Sequence, residues 1–220
     1  MSDQLVKYGE ELLEKYNENS ALRVVASLII GPLDTFLSSE GQKIVQRRMI
    51  SLLNCLKIEM KSIREETINK DYLESEEFYD LVFMAFEAAS RTRNNNKIQW
   101  YAKILKNSFI KEKDVFLPED YMNILKELTE DEIQVASELF RRQGKKKLED
   151  FENQMAFAKG CGWDTFQDYL NVTHPRKYLF ILSRLEKSGL IKEITGTYQD
   201  YDGGIYFITD TFRDLMEFLE

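Results

Sequence analysis

Apolar residues recur at three- and four-residue intervals along most of the first 128 positions. Leu5, Tyr8, Leu12 and Tyr16 make a first stripe, the period of one helical face. Between Gln42 and Glu66 a longer stripe holds Ile44, Val45, Met49, Leu52, Leu53, Leu56, Met60 and Ile63. That predicts a helix of about seven turns without internal Gly or Pro, long enough to be the spine of a bundle or a dimer-forming helix. Its apolar positions do not repeat every seven residues, which disfavours a free-standing coiled coil. Asp71–Arg93 reads as the next helix. Ser75 is a capping side chain, Glu76 and Glu77 suit the positive N-terminal end, and Arg91 and Arg93 suit the negative C-terminal end. Asn94–Asn96 is a break and re-cap before a helix from Lys97 to Lys111, and Pro118 opens another.

From Thr129 the pattern changes. Thr129–Glu132 has the Thr-x-x-Glu form of a capping box, and Ile133, Ala136, Leu139 and Phe140 continue it as a helix. Leu148–Lys159 reads as a further helix ending at Gly160, and Asp164 caps a short one. Thr173-His174-Pro175 opens a leucine-rich helix that stops at Gly189, a C-terminal signal. Ile191–Tyr198 and Ile205–Thr209 then read as strands around the turn "QDYDGG". Asp210 or Thr211 caps a last helix with Phe212, Leu215, Met216 and Leu219 on its apolar face.

The most apolar stretch, Val24–Leu37, has ten uncharged residues between Arg23 and Asp34. A transmembrane helix needs roughly 20. Gly31-Pro32 is expected to break it into a buried helix, a turn and a second short helix; the sharper alternative is a segment released towards a membrane or a partner. The N-terminus is amphipathic and acidic, unlike a targeting peptide. Two cysteines give no disulfide framework and no zinc pattern. Cys55 lies among leucines as a small buried residue, and Cys161 sits between glycines in a loop. A cytoplasmic protein fits these features.

Residues 129–220 resemble the winged-helix superfamily. The match is "YLFILSRLEKSGLIKE", Tyr178–Glu193, followed by the hairpin, with Leu182, Leu185, Gly189, Leu190 and Ile191 in core, stop and wing-entry places. "SEEFYDLVFMAFEAASRTRNNNKIQWYAKILKNSF", Ser75–Phe109, within a wider stretch 75–140, is similar to a helical module of prokaryotic proteins of the abortive-infection alpha type. The shared features are Arg91–Arg93 and then Tyr101, Ala102, Ile104 and Leu105. That resemblance implies a role in phage defence or prophage biology and carries over no catalytic residue. The expected architecture is mainly α: an N-terminal helical bundle, 1–128, followed by a C-terminal winged-helix domain with a small β-hairpin, 129–220.

Winged helices hold either DNA or proteins. For DNA, the helix His174–Ser188 enters the major groove with Arg176, Lys177, Arg184 and Lys187 outward. The run "RRQGKKK", with Arg141, Arg142, Lys145, Lys146 and Lys147, grips phosphate beside it. Against this, the formal charge is -8. Residues 129–220 hold 12 Lys or Arg against 17 Asp or Glu, and the wing tip carries Asp200 and Asp202 with no cation. For a protein partner or homo-oligomer, Phe180, Tyr198, Tyr201 and Tyr206 are the anchors to watch.

Nothing points to catalysis. The sole histidine, His174, precedes a proline at a helix start; no nucleophile motif, phosphate loop or metal-ligating set is present. Glu76-Glu77 and Asp131-Glu132 stand where they complement helix dipoles. No enzyme, catalytic residue, cofactor or metal is expected. A non-enzymatic regulatory or interaction protein is preferred, with a DNA-binding regulator and a membrane-acting defence effector as alternatives.

Overall fold

Asn19 caps the helix that follows it: its side chain accepts from the Leu22 N–H at 2.8 Å. The computed structural model describes residues 14–16, 19–33, 40–110, 118–143, 175–193 and 206–219. Nine α-helices and one antiparallel strand pair lie among those residues. The chain divides into two compact units, Met1–Lys126 with Leu219–Glu220, and Glu127–Phe218.

In the first unit, α1 (Ser20–Leu33) buries Leu22, Val25, Ala26, Ile29 and Ile30 at helical spacing. The backbone stays helical through Gly31 and Pro32, so the expected break there is corrected. Pro32 falls in the last turn, where its missing N–H forgoes a single bond to Leu28. The described part of the Val24–Leu37 stretch is thus a core helix, and 34–37 lie outside the described residues. No described helix is long and apolar enough to cross a membrane.

The long helix α2 runs Glu40–Met60, starting two residues earlier and ending six residues earlier than its periodicity predicts. Two bonds of the tighter i to i+3 kind, Lys61 N–H to Ile58 O and Ile63 N–H to Met60 O, close its end. Arg64 is extended before a 3-10 turn at Glu65–Thr67. Ile63 continues the apolar spacing without being helical. The expected helix Asp71–Arg93 is two helices, α3 (Lys70–Leu73) and α4 (Glu76–Arg91). Ser75 divides them because its Oγ accepts from the Phe78 N–H at 3.2 Å, as an N-cap does. Glu76 and Glu77 fill the first turn and Arg91 the last; Arg93 lies beyond the end. Asn94 caps α5 (Asn95–Ser108), its side chain accepting from Asn96 N–H at 2.8 Å and Lys97 N–H at 3.3 Å. Pro118 opens α6 (Pro118–Glu127) as expected.

The core of this unit forms where α2 meets α1, α4 and α5. Met49, Leu52, Leu53 and Leu56 from α2 meet Phe78, Leu81, Val82 and Ala85 from α4 and Tyr101, Ala102 and Leu105 from α5, all buried. Phe78 stacks edge-on against Phe109 at 6.0 Å. Burying each large side chain contributes roughly 1.5–3 kcal/mol. Cys55 is half-buried rather than fully so; burial, then the nearby Glu59 charge, push its thiol pKa up, which disfavours the reactive thiolate.

In the second unit, α7 (Glu130–Gln143) starts on the expected capping box. Thr129 N–H donates to Glu132 Oε2 at 2.6 Å and Glu132 N–H to Thr129 Oγ1 at 3.3 Å. The helix α8 (Pro175–Lys187) ends on Gly189, whose φ of 75° suits glycine. Leu190 N–H bonds to Leu185 O and Gly189 N–H to Glu186 O, the paired bonds of a Schellman stop. The chain then enters β1 (Ile191–Glu193), which pairs with β2 (Tyr206–Ile208) in the register Ile191–Ile208, Lys192–Phe207, Glu193–Tyr206. The last helix, α9 (Asp210–Leu219), is capped by Thr209, one residue before the expected Asp210 or Thr211; Thr209 Oγ1 accepts from Phe212 N–H at 3.3 Å.

Gln143 ties α7 to the sheet. Its Nε2 donates to Tyr206 O and its Oε1 accepts from Ile208 N–H, both at 2.8 Å. One buried side-chain amide thereby serves both a donor and an acceptor on β2. The first stripe except Tyr16, the helices expected within 148–170, and the expected strand and turn residues within 194–205 lie outside the described residues, as do His174 and Cys161.

Candidate interaction face of the C-terminal unit

The helix α8 is amphipathic because its leucines follow the helical period. Ile181, Leu182 and Leu185 are buried, while Leu179 and Phe180 stand out at 49% and 62% exposure. Among the described aromatic residues of this unit Phe207 and Phe212 are both buried, and Phe212 meets Phe140 edge-on at 6.0 Å.

Arg184 sits one turn after Phe180. Its guanidinium lies 5.9 Å from the Phe180 ring centre, within cation–π range, and its Nε donates to Glu132 Oε1. Glu132 is almost wholly buried, so one carboxylate serves the Thr129 cap and the Arg184 ion pair together. Beside the pair is a cavity of about 350 Å³ lined by Glu127, Leu128, Glu132, Arg184, Lys187 and Ser188. Lys187 is exposed and forms no ion pair among the described residues.

At the end of α7, Arg141 grips Glu138 with two bonds of 2.8 Å, and Arg142 Nε reaches the same carboxylate at 2.9 Å. The Arg141 hydrogen bond, partly opposed by burial and helped by Arg142, holds the Glu138 carboxyl below its usual range. The two guanidinium groups share this one carboxylate, which offsets part of their charge. Arg176 and Lys177 lie in the first turn of α8, where only the backbone is described. Lys145, Lys146, Lys147, Tyr198 and Tyr201 lie outside the described residues. Tyr206 is half-buried on β2. The structure therefore groups Phe180, Arg184 and Lys187 on one helix and keeps Arg141 and Arg142 at the end of another. Glu132, Glu138 and Leu179 were not singled out as site residues from the sequence; the capping box marked Glu132 for a local role only. No three of His, Cys, Asp and Glu come together as a metal-binding set among the described residues.

The model of the family described as abortive infection alpha matches residues 51–220. The chain belongs to the abortive infection alpha family. No curated protein and no solved structure matches it. Membership in the abortive infection alpha family ties the chain to phage defence, and the matched span takes in the C-terminal half of α2 and everything after it.

Proposed function

We propose that the protein is a non-enzymatic, protein-binding component of phage defence whose C-terminal unit is a winged helix used for recognition. The path from α8 through the Gly189 stop into β1 and back along β2 supports that arrangement. The observation that carries the binding mode is the exposed pair Leu179–Phe180, set on a helix whose described arginine is committed to Glu132. Exposed aromatic anchors suit a protein interface; an arginine already paired with a buried carboxylate is poorly placed to read a base edge.

The test is phage plating on cells producing the protein, with Phe180→Asp and Lys187→Ala compared. Loss of protection in Phe180→Asp, with Lys187→Ala still protecting and both variants folded, supports the reading. A DNA-binding regulator using residues 174–188 is the second reading, favoured by the exposed Lys187, which forms no ion pair among the described residues. It predicts the reverse: Lys187→Ala loses protection, and anisotropy on random duplex DNA reports binding that weakens steeply with salt.

A further inference from the structure

The first unit carries an aromatic row that its core does not use. On α4, Phe78, Leu81, Val82, Ala85, Ala88 and Ala89 are buried and form the inner face. On the outer face Tyr79 and Phe83 are 46% and 43% exposed. Their ring centres are 5.1 Å apart, and Phe83 lies 6.2 Å from Phe86, so the three rings form a row at i, i+4 and i+7. Rings held against one another lose little freedom on binding, which makes them effective anchors.

Along one edge of this row run Glu76, Asp80 and Glu87, also at helical spacing. Glu87 is taken, by Lys126 at 2.7 Å and Arg91 at 2.9 Å. Glu76 and Asp80 are exposed, and among the described residues no cation is bonded to them. Unpaired negative charge therefore borders the Tyr79 half of the row, and the neutralised Glu87 borders the Phe86 half.

We propose that the outer face of α4 docks a basic amphipathic helix of a protein partner. Arg or Lys side chains of that helix pair with Glu76 and Asp80 and lie over the Tyr79 and Phe83 rings. Its aliphatic side chains cover Phe83 and Phe86. The same carboxylates repel phosphate, which sets nucleic acid aside as the occupant. This surface is separate from the Phe180 face and does not rest on the reading given to it.

The experiment is fluorescence anisotropy of the full-length chain with a labelled amphipathic peptide of about 18 residues, five helical turns. The probe has leucines on one face and arginines flanking them; a control peptide carries Glu in place of Arg. The salt is about 0.15 M, so that long-range attraction to the acidic chain is screened. The Arg peptide is expected to bind at least tenfold more weakly to Phe83→Ser and to Asp80→Lys than to the parent, and equally to Phe180→Ser. The Glu peptide is expected not to bind. Circular dichroism confirms that the variants are folded, and Asp80→Lys keeps every ring in place should Phe83→Ser loosen the helix. Equal binding to all variants, or no binding to the parent, overturns the proposal. So does self-association of the parent that Phe83→Ser abolishes, because the occupant is then a second copy.

Discussion

The helices α4 and α8 are built alike and finished differently. Each buries a leucine- or alanine-rich face in its own unit and turns an aromatic residue outward, Phe83 on one and Phe180 on the other. On α8 the neighbouring described arginine is neutralised by Glu132, and the two arginines ending α7 share the single Glu138 carboxylate. On α4 the acidic edge is neutralised only at Glu87, while Glu76 and Asp80 remain open. The charge printed in a sequence is thus not the charge a surface offers. What matters is which side chains already have a partner inside the fold.

The contrast between inner and outer faces of α4 gives the largest expected effect. Phe78→Ala removes a fully buried ring and its edge-on partner contact with Phe109, and should destabilise the first unit by about 3–5 kcal/mol. Phe83→Ala, five residues later, should stay within about 0.5 kcal/mol. Urea unfolding of the two variants checks this; similar losses would mean that the outer row is part of the core after all.

Gln143→Leu is the next largest. It leaves Tyr206 O and Ile208 N–H without their partner against β2, and should lower stability by about 1–3 kcal/mol. Below that comes Glu132→Ala, which removes a capping partner and releases Arg184. Arg184 is 46% exposed in its side chain, so solvent screens that half of the interaction, and the cap dominates at about 1–2 kcal/mol. Glu132→Ala should also free Arg184 for other anions. If random duplex DNA binds Glu132→Ala more tightly than the parent, the neutralised face of α8 has been turned into a basic one.

These sites differ in how far they could be read from the chain. Ser75, Asn94 and Thr129 were legible as caps because a cap is local: the side chain and the N–H it accepts from are two or three residues apart. The stop at Gly189 was legible for the same reason. The end of α2 at Met60 was not, because Ile63 keeps the apolar spacing while the backbone has already tightened into i to i+3 bonds. Gly31-Pro32 misled by a short distance only: the helix runs one residue past Pro32 and ends at Leu33, so Pro32 forgoes one bond and no further turn follows it. At the candidate site, Phe180 and the basic stripe could be named from helical spacing. Their partners could not: Glu132 and Arg184 lie far apart in the chain, and Gln143 stands inside a run whose cations draw the eye to phosphate instead. Pairings of that kind exist only once the chain has folded.

The smallest expected effect separates the two units by pH and salt. In the second, Glu138 is held below its usual pKa first by the Arg141 hydrogen bond; in the first, Glu87 is held below it first by the Lys126 hydrogen bond. A carboxyl whose pKa is lower folded than unfolded stabilises the fold above its unfolded pKa, about 4.3, and that contribution is lost as pH falls through the lower, folded value. The parent should therefore be more stable than Glu138→Gln at neutral pH, and the two should converge as the pH drops below about 4. Glu87→Gln should behave in the same sense. Salt tells them apart. The Glu138 side chain is 12% exposed and that of Glu87 42%, so raising salt at neutral pH should erase the Glu87 difference first. Thermal unfolding of the three proteins across pH and salt measures both trends. A Glu138 difference that persists unchanged at low pH would mean that the Arg141 and Arg142 contacts stabilise the unit independently of the carboxylate charge.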